Sequence, residues 1–168
     1  MRRRMMEVSS RCFFAAMFFL IMGFCGSSFA GQQSFGDWIG IEEQDPPTQK
    51  QSKKIGTFAD DGISTLWLSD SDSDGETLQL ILESKKTMAS EYFSYRIDRI
   101  GTLTISSAIK GCESNCLTDD VSKKSELIKT MKRGLQIKFE YDSYPDITRN
   151  PTFSLRGFSR AYNWLLTD

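Results

Sequence analysis

The 168-residue chain contains no histidine, and that one absence removes much familiar chemistry. A Ser/His/Asp or Cys/His arrangement needs an imidazole to carry the proton, and ordinary zinc or iron sites draw on imidazole nitrogen. Carboxylate-only, Ser/Lys and Tyr mechanisms survive this cut, and no local motif for any of them is present. Beyond residue 30 the sequence also lacks a basic stripe. There 17 Lys and Arg are scattered among 21 Asp and Glu, so nothing favours a phosphate backbone or an anionic lipid surface. Nucleic acid is not an expected partner. Proline is scarce at four, and of the four cysteines Cys12 and Cys25 fall in the N-terminal segment.

That segment reads as a removable signal peptide over residues 1–30. Arg2, Arg3, Arg4 and Arg11 stand against one acid, Glu7, and Phe13 to Phe24 is an almost unbroken apolar run. Ser28 and Ala30 then put small residues at the −3 and −1 positions of a cleavage site, before the polar Gly31-Gln32-Gln33. An uncleaved anchor needs about 20 apolar residues to cross the hydrocarbon core, more than this run supplies. A lipid-bearing Cys25 takes a small preceding residue, where Phe24 stands. Cleavage after Ala30 leaves residues 31–168 as one domain, without a transmembrane segment and long enough to bury most of its unfolded surface. The leader removes four basic residues and one acid, so 17 basic and 21 acidic residues remain and the net charge is −4. The expected setting is the periplasm, envelope or exterior of a bacterium.

Along the mature chain the periodicity is mostly that of short strands. Phe35 to Ile41, FGDWIGI, reads as a first strand, and Gln44 to Lys54, with Pro46 and Pro47, as a loop. Thr65 to Leu68 and Thr77 to Leu82 read as the arms of a hairpin around an acidic tip. A second hairpin is expected between Glu91 to Ile100 and the alternating Thr102-Leu103-Thr104-Ile105. Asp119 or Asp120 is placed to cap a helix running through Val121, Leu127, Ile128 and Met131 to a stop at Gly134. Leu135, Ile137 and Phe139 then alternate as a half-buried strand, and Pro145 to Pro151 is a loop before Thr152 to Leu155. In GFSRAYNWLL, Phe158, Ala161, Tyr162 and Leu165 share one helical face. Seven or so strands with one or two small helices predict a mainly β, immunoglobulin-like β-sandwich.

Few motifs rise above this pattern. Asp70, Asp72, Asp74 and Gly75 match the opening of a calcium loop, but the twelfth position, where a glutamate belongs, is Ile81. Thr77 to Leu82 also reads as strand and not as an exit helix, so a solvated hairpin tip is the expectation. Cys112 and Cys116 would enter an oxidising compartment together, where a disulfide is the default. So short a loop gives a local staple of about 2 kcal/mol. A redox-active pair is the sharper alternative, but the spacing is not C-x-x-C; a zinc site would need two carboxylates as well. Trp38, Trp67 and Trp164 lie in apolar patterns, which favours core packing over an aromatic ligand platform. Asp37 and the pair Glu42-Glu43 read as solvated acids rather than as catalytic carboxylates.

Four segments together resemble the invasion-associated locus B proteins of Gram-negative bacteria. Phe35-Gly36-Asp37-Trp38 looks like the family's opening element, and Arg96-Ile97-Asp98 resembles its central strand. Cys112 and Cys116 fall where the family has a cysteine pair. Leu155-Arg156-Gly157-Phe158, with Ala161 and Leu165, is similar to its closing signature. The N-terminal half is diverged, Ile41 and Ile55 standing where relatives often carry two further cysteines. The resemblance implies an exported, disulfide-containing β-sandwich, with Trp38, Leu155, Gly157, Phe158 and Ala161 as structural motif residues. It brings no enzymatic activity and no cofactor, and associates some relatives with the outer membrane, host-cell entry and virulence. The functional expectation is a non-enzymatic envelope protein that binds another protein of the envelope or host. A small-ligand or glycan-binding sandwich is the alternative.

Overall fold

Leu66 and Leu68 alternate with Thr65, Trp67 and Ser69, and Leu78, Leu80 and Leu82 alternate with Gln79 and Ile81; in both runs the leucines are buried and the intervening residues half-buried. Two such strands pair antiparallel, Leu66 opposite Leu82 and Leu68 opposite Leu80, and they are the centre of a larger sheet. The computed structural model describes residues 29–44, 51–70, 77–89, 92–97, 104–107, 115–122 and 124–167. Its strands are β1 (Phe29–Phe35), β2 (Trp38–Gln44), β3 (Gln51–Phe58), β4 (Ser64–Asp70), β5 (Leu78–Ser84), β6 (Tyr92–Ile97), β7 (Thr104–Ser107) and β8 (Cys116–Asp120). Helix α1 (Ser125–Arg133) follows, then β9 (Gln136–Ser143), β10 (Ile147–Arg149), β11 (Thr152–Ser154) and helix α2 (Phe158–Leu165).

The first sheet has six strands in the order β1-β2-β3-β4-β5-β8; the second has five, β10-β9-β6-β7 with β11 also on β9. Every pairing is antiparallel. The mainly β sandwich with two short helices is thus the fold. Its larger sheet is a meander, because five successive strands lie side by side and only the step from β5 to β8 skips neighbours in sequence.

Between the sheets, Leu66, Leu68, Leu80, Leu82 and Leu117 are buried with Phe93, Tyr95, Phe139 and Phe153 of the second sheet in one apolar cluster. The aromatic rings interlock, with centroids 5.5 Å apart for Phe93 and Phe139 and, edge on, for Phe139 and Phe153. Each side chain of this size stabilises the fold by about 1.5–3 kcal/mol when fully buried. The buried Tyr141 hydroxyl meets Ser64 Oγ at 3.0 Å, and Ser64 in turn donates to Asp61 Oδ2 at 2.7 Å. Asp61 also accepts the N–H groups of Ile63 and Ser64, so the turn between β3 and β4 satisfies a core phenol.

Both expected hairpins form, as β4–β5 and β6–β7, and α2 buries Phe158, Ala161 and Leu165 as its spacing requires. Other expectations are corrected. FGDWIGI is not one strand: it straddles a turn at Gly36-Asp37, where Gly36 has φ +72°. A glycine with positive φ at the first of two loop positions suits a tight hairpin. Asp119 and Asp120 cap no helix. They belong to β8, opposite Leu80 and Gln79, because Leu117 and Val121 point inward at strand spacing and α1 starts only at Ser125. Leu135 is 77 % exposed and precedes β9; its carbonyl accepts the Leu155 N–H at 2.8 Å, one step beyond the Ser154–Gln136 pair. The Pro145 to Pro151 stretch contains β10, and the expected Gln44 to Lys54 loop is shortened, since β2 reaches Gln44 and β3 begins at Gln51; Pro46 and Pro47 lie outside the described residues. So does the leader up to Ser28. Strand β1 begins at Phe29, and its register is irregular between Phe29 and Gly31, while Gly31 to Phe35 pair with Glu42 to Trp38. The expected cut after Ala30 falls at that irregularity.

Candidate functional site

The residues of the opening and closing motifs meet in space. Asp37 donates its backbone N–H to the Arg156 carbonyl at 3.1 Å, and its carboxylate accepts the Ser154 hydroxyl at 2.6 Å. Its own carbonyl accepts the Thr57 hydroxyl at 2.8 Å. Trp38 is fully buried; its Nε1 donates to the Ser154 carbonyl at 2.9 Å, and its ring meets Phe158 edge on, 4.9 Å between centroids. Leu155 and Ala161 are buried beside them. Gly157, at φ +95°, lies so close to β1 that a Cβ there would sit 1.6 Å from the Phe35 carbonyl oxygen. These contacts join the β1–β2 hairpin to the segment leading into α2 across more than a hundred residues of sequence. These bonds and packed rings make it a structural joint.

The outward face of the six-stranded sheet is different. Register places Ile39, Gly56, Trp67, Ile81 and Thr118 opposite one another in a single row across β2, β3, β4, β5 and β8. Beside it run Ile41, Lys54, Ser69, Gln79 and Asp120. Trp67 is half-buried on this face. Its ring lies over Gly56, where a Cβ would come within 2.2 Å of Cε3, so a larger side chain there would displace the ring. Its Nε1 donates to Glu83 Oε2 at 2.8 Å, and Lys54 Nζ stands 5.4 Å from the ring centroid while pairing with Glu43 at 2.9 Å. Phe58, on the neighbouring row, is 66 % exposed. A flat indole held by a carboxylate and flanked by amide, hydroxyl and charged groups presents one stacking face with hydrogen-bonding groups around it.

Of the three tryptophans expected in the core, only Trp38 is fully buried. Trp67 faces outward because Leu66 and Leu68 on either side of it face inward, and strand alternation was the signal that marks it. Trp164 is half-buried: its ring covers Gly40, meets Phe35 at a tilt with centroids 5.7 Å apart and has Lys53 Nζ 5.5 Å from its centroid.

The remaining candidates are placed as follows. Cys116 is buried at the start of β8, while Cys112 lies outside the described residues. Asp70 ends β4; Asp72, Asp74 and Gly75 lie outside, and Ile81 sits within β5, a strand where an EF-hand would have its exit helix. Among the described residues no group of three or more His, Cys, Asp or Glu is arranged to hold a metal ion. Glu43 is engaged by Lys54. Arg96 and Ile97 lie in β6, and Asp98 outside. Among the described residues two groups titrate away from their usual range. The Lys129 ammonium, bonded to Glu126 at 2.7 Å, lowers that carboxyl, and burial raises the Tyr162 phenol. Both lie on the helices and away from the Trp67 face. No helix among the described residues is long and apolar enough to cross a membrane.

A two-sheet antiparallel sandwich, tied shut by its first hairpin and its last helix, is the class of protein these features define. No family model matches the sequence, and no curated protein matches it. Among solved structures, the chain is similar to that of invasion associated protein B from Bartonella henselae, with a TM-score of 0.61 at 14 % identity. The match covers 81 % of this chain and 96 % of that one. The likeness shows a shared fold.

Proposed function

We propose that the protein is an exported, non-enzymatic protein of the bacterial envelope that acts by binding another protein, with a part in host-cell interaction. The observation that carries this reading is the fold held in common with an invasion-associated protein over 81 % of the chain. The leader-like residues 1–30 support export, and the opening and closing motifs meeting in one joint supports the family resemblance. An oxidising compartment would suit a disulfide at Cys116, which is buried at the start of β8. Cys112 is its proposed partner. The test is fractionation of producing cells, followed by thiol labelling and crosslinking with mass spectrometry. The protein is expected outside the cytoplasm, without free thiol, and crosslinked to a specific envelope or host protein. Free thiols at Cys112 and Cys116 in a cytoplasmic fraction, or no partner in either proteome, would overturn the proposal.

The Trp67 face favours a second reading, a glycan-binding sandwich, because a flat indole ringed by Glu83, Lys54, Ser69 and Gln79 suits the apolar face and hydroxyl rim of a sugar. In that case an oligosaccharide panel quenches tryptophan emission and raises the melting temperature, as any ligand selective for the folded state does. Trp67→Ala is expected to abolish both effects while leaving the fold intact, because Trp67 lies outside the core. A panel that leaves the wild-type emission and melting temperature unchanged removes this reading.

A further inference from the structure

Strand β1 is an edge of the six-stranded sheet, and among the described residues no hydrogen bond reaches its outer side. The opposite edge is guarded: β8 is five residues long, carries Asp119 and Asp120, and has Cys116, Thr118 and Asp120 engaged in further interactions. Edges are usually protected by charge, proline, a bulge or a cover. Between Gly31 and Phe35, β1 has neither charge nor proline; Gln32, Gln33 and Ser34 are exposed, and the space beside Gly31 is open. Its single irregularity lies between Phe29 and Gly31, so cleavage after Ala30 would remove it. On the export reading, processing exposes a flat, uncharged edge.

We infer that the mature protein pairs with a second copy of itself through β1, the two strands running antiparallel about a two-fold axis. Phe35 and Trp38 close the hairpin around a two-residue turn, which directs the Phe35 backbone groups toward β2. Counting back by twos, those of Gln33 and Gly31 also face β2, and those of Ser34 and Gln32 face outward. A two-fold axis perpendicular to the sheet sets a residue opposite its own copy. With Gln33 at that centre, Gln32 faces Ser34 of the second copy and the reverse, so both outward residues of each strand form reciprocal backbone pairs. A centre at Gln32 would use only one of them. The Gln33 register also places Gly31 opposite Phe35. The α-ammonium created by cleavage then approaches the exposed Asp37 end of the other strand, a pairing of opposite charges at both ends of the ladder.

The experiment is sedimentation velocity over a concentration series on the exported protein recovered from producing cells. Its N-terminus is read by mass spectrometry, which tests the export reading separately. The wild type is expected to shift reversibly from monomer to dimer. Gln33→Lys and Gln33→Glu each place like charges directly opposite, and each is expected to lose the dimer while keeping the wild-type melting curve. An equimolar mixture of the two variants is expected to recover it. A wild type that stays monomeric throughout, or variants that dimerise as well as the wild type, would overturn the proposal.

Discussion

Gly157→Ala is expected to be among the most destabilising single substitutions in this protein, lowering its stability by about 4 kcal/mol or more. Two separate costs combine at this position. The backbone φ of +95° is one that an L side chain rarely adopts, and that alone costs about 1–2 kcal/mol. The added methyl would also fall 1.6 Å from the Phe35 carbonyl oxygen and 2.6 Å from its carbon, both backbone atoms of β1 that cannot rotate away. The segment before α2 must then move off the first hairpin, breaking the Asp37 to Arg156 and Trp38 to Ser154 hydrogen bonds. Gly62 supplies the control. It too has positive φ, +68°, but nothing lies within 4 Å of its Cβ position, so Gly62→Ala should cost only the conformational term of about 1 kcal/mol. Urea denaturation followed by circular dichroism measures both. Equal losses at the two positions would show that the close approach of Gly157 to β1 contributes nothing.

The elements legible in the sequence were those whose partners lie nearby along the chain. The β4–β5 and β6–β7 hairpins announce themselves by alternation on both sides of a turn, and α2 by the spacing of Phe158, Ala161 and Leu165. Where partners lie far apart, local pattern misleads. Asp119 and Asp120 carry the side chains of a helix cap, but pairing with β5 takes the segment into the sheet, and Asp119 finds Lys124 at 2.6 Å instead. The β1–β2 hairpin is hidden in the sequence because its first arm spans the expected cleavage point and its turn, Gly36-Asp37, stands between the apolar Phe35 and Trp38. Trp67 looks like a core residue in the sequence because Leu66 and Leu68 make TLWL uniformly apolar. What covers its inner ring face is Gly56 on the next strand, a contact that only register creates. The structural joint was legible as a pair of motifs in order along the chain, and its geometry was not: the bond from Ser154 to Asp37 spans 117 positions, and no local pattern encodes it.

Trp38 is the second position where a large effect is expected, and a graded pair of substitutions separates its two contributions. Trp38→Ala removes a fully buried indole and leaves a cavity between Phe158 and the first sheet, a change that typically costs about 3–5 kcal/mol. Trp38→Phe keeps most of the ring and its edge contact with Phe158, but leaves the Ser154 carbonyl without the indole N–H, at about 1–2 kcal/mol. Because Trp38 ties β2 to the strand before α2, the loss in Trp38→Ala should not be spread evenly. Hydrogen exchange is expected to rise first in α2 and β1, while β4, β5 and β9, held by the leucine and phenylalanine cluster, keep their protection until global unfolding. A double-mutant cycle with Phe158→Ala then tests the link itself: rings in edge contact couple by about 0.5–1.5 kcal/mol. Strict additivity, with exchange rising uniformly over both sheets, would mean that Trp38 fills the core without joining the two ends of the chain.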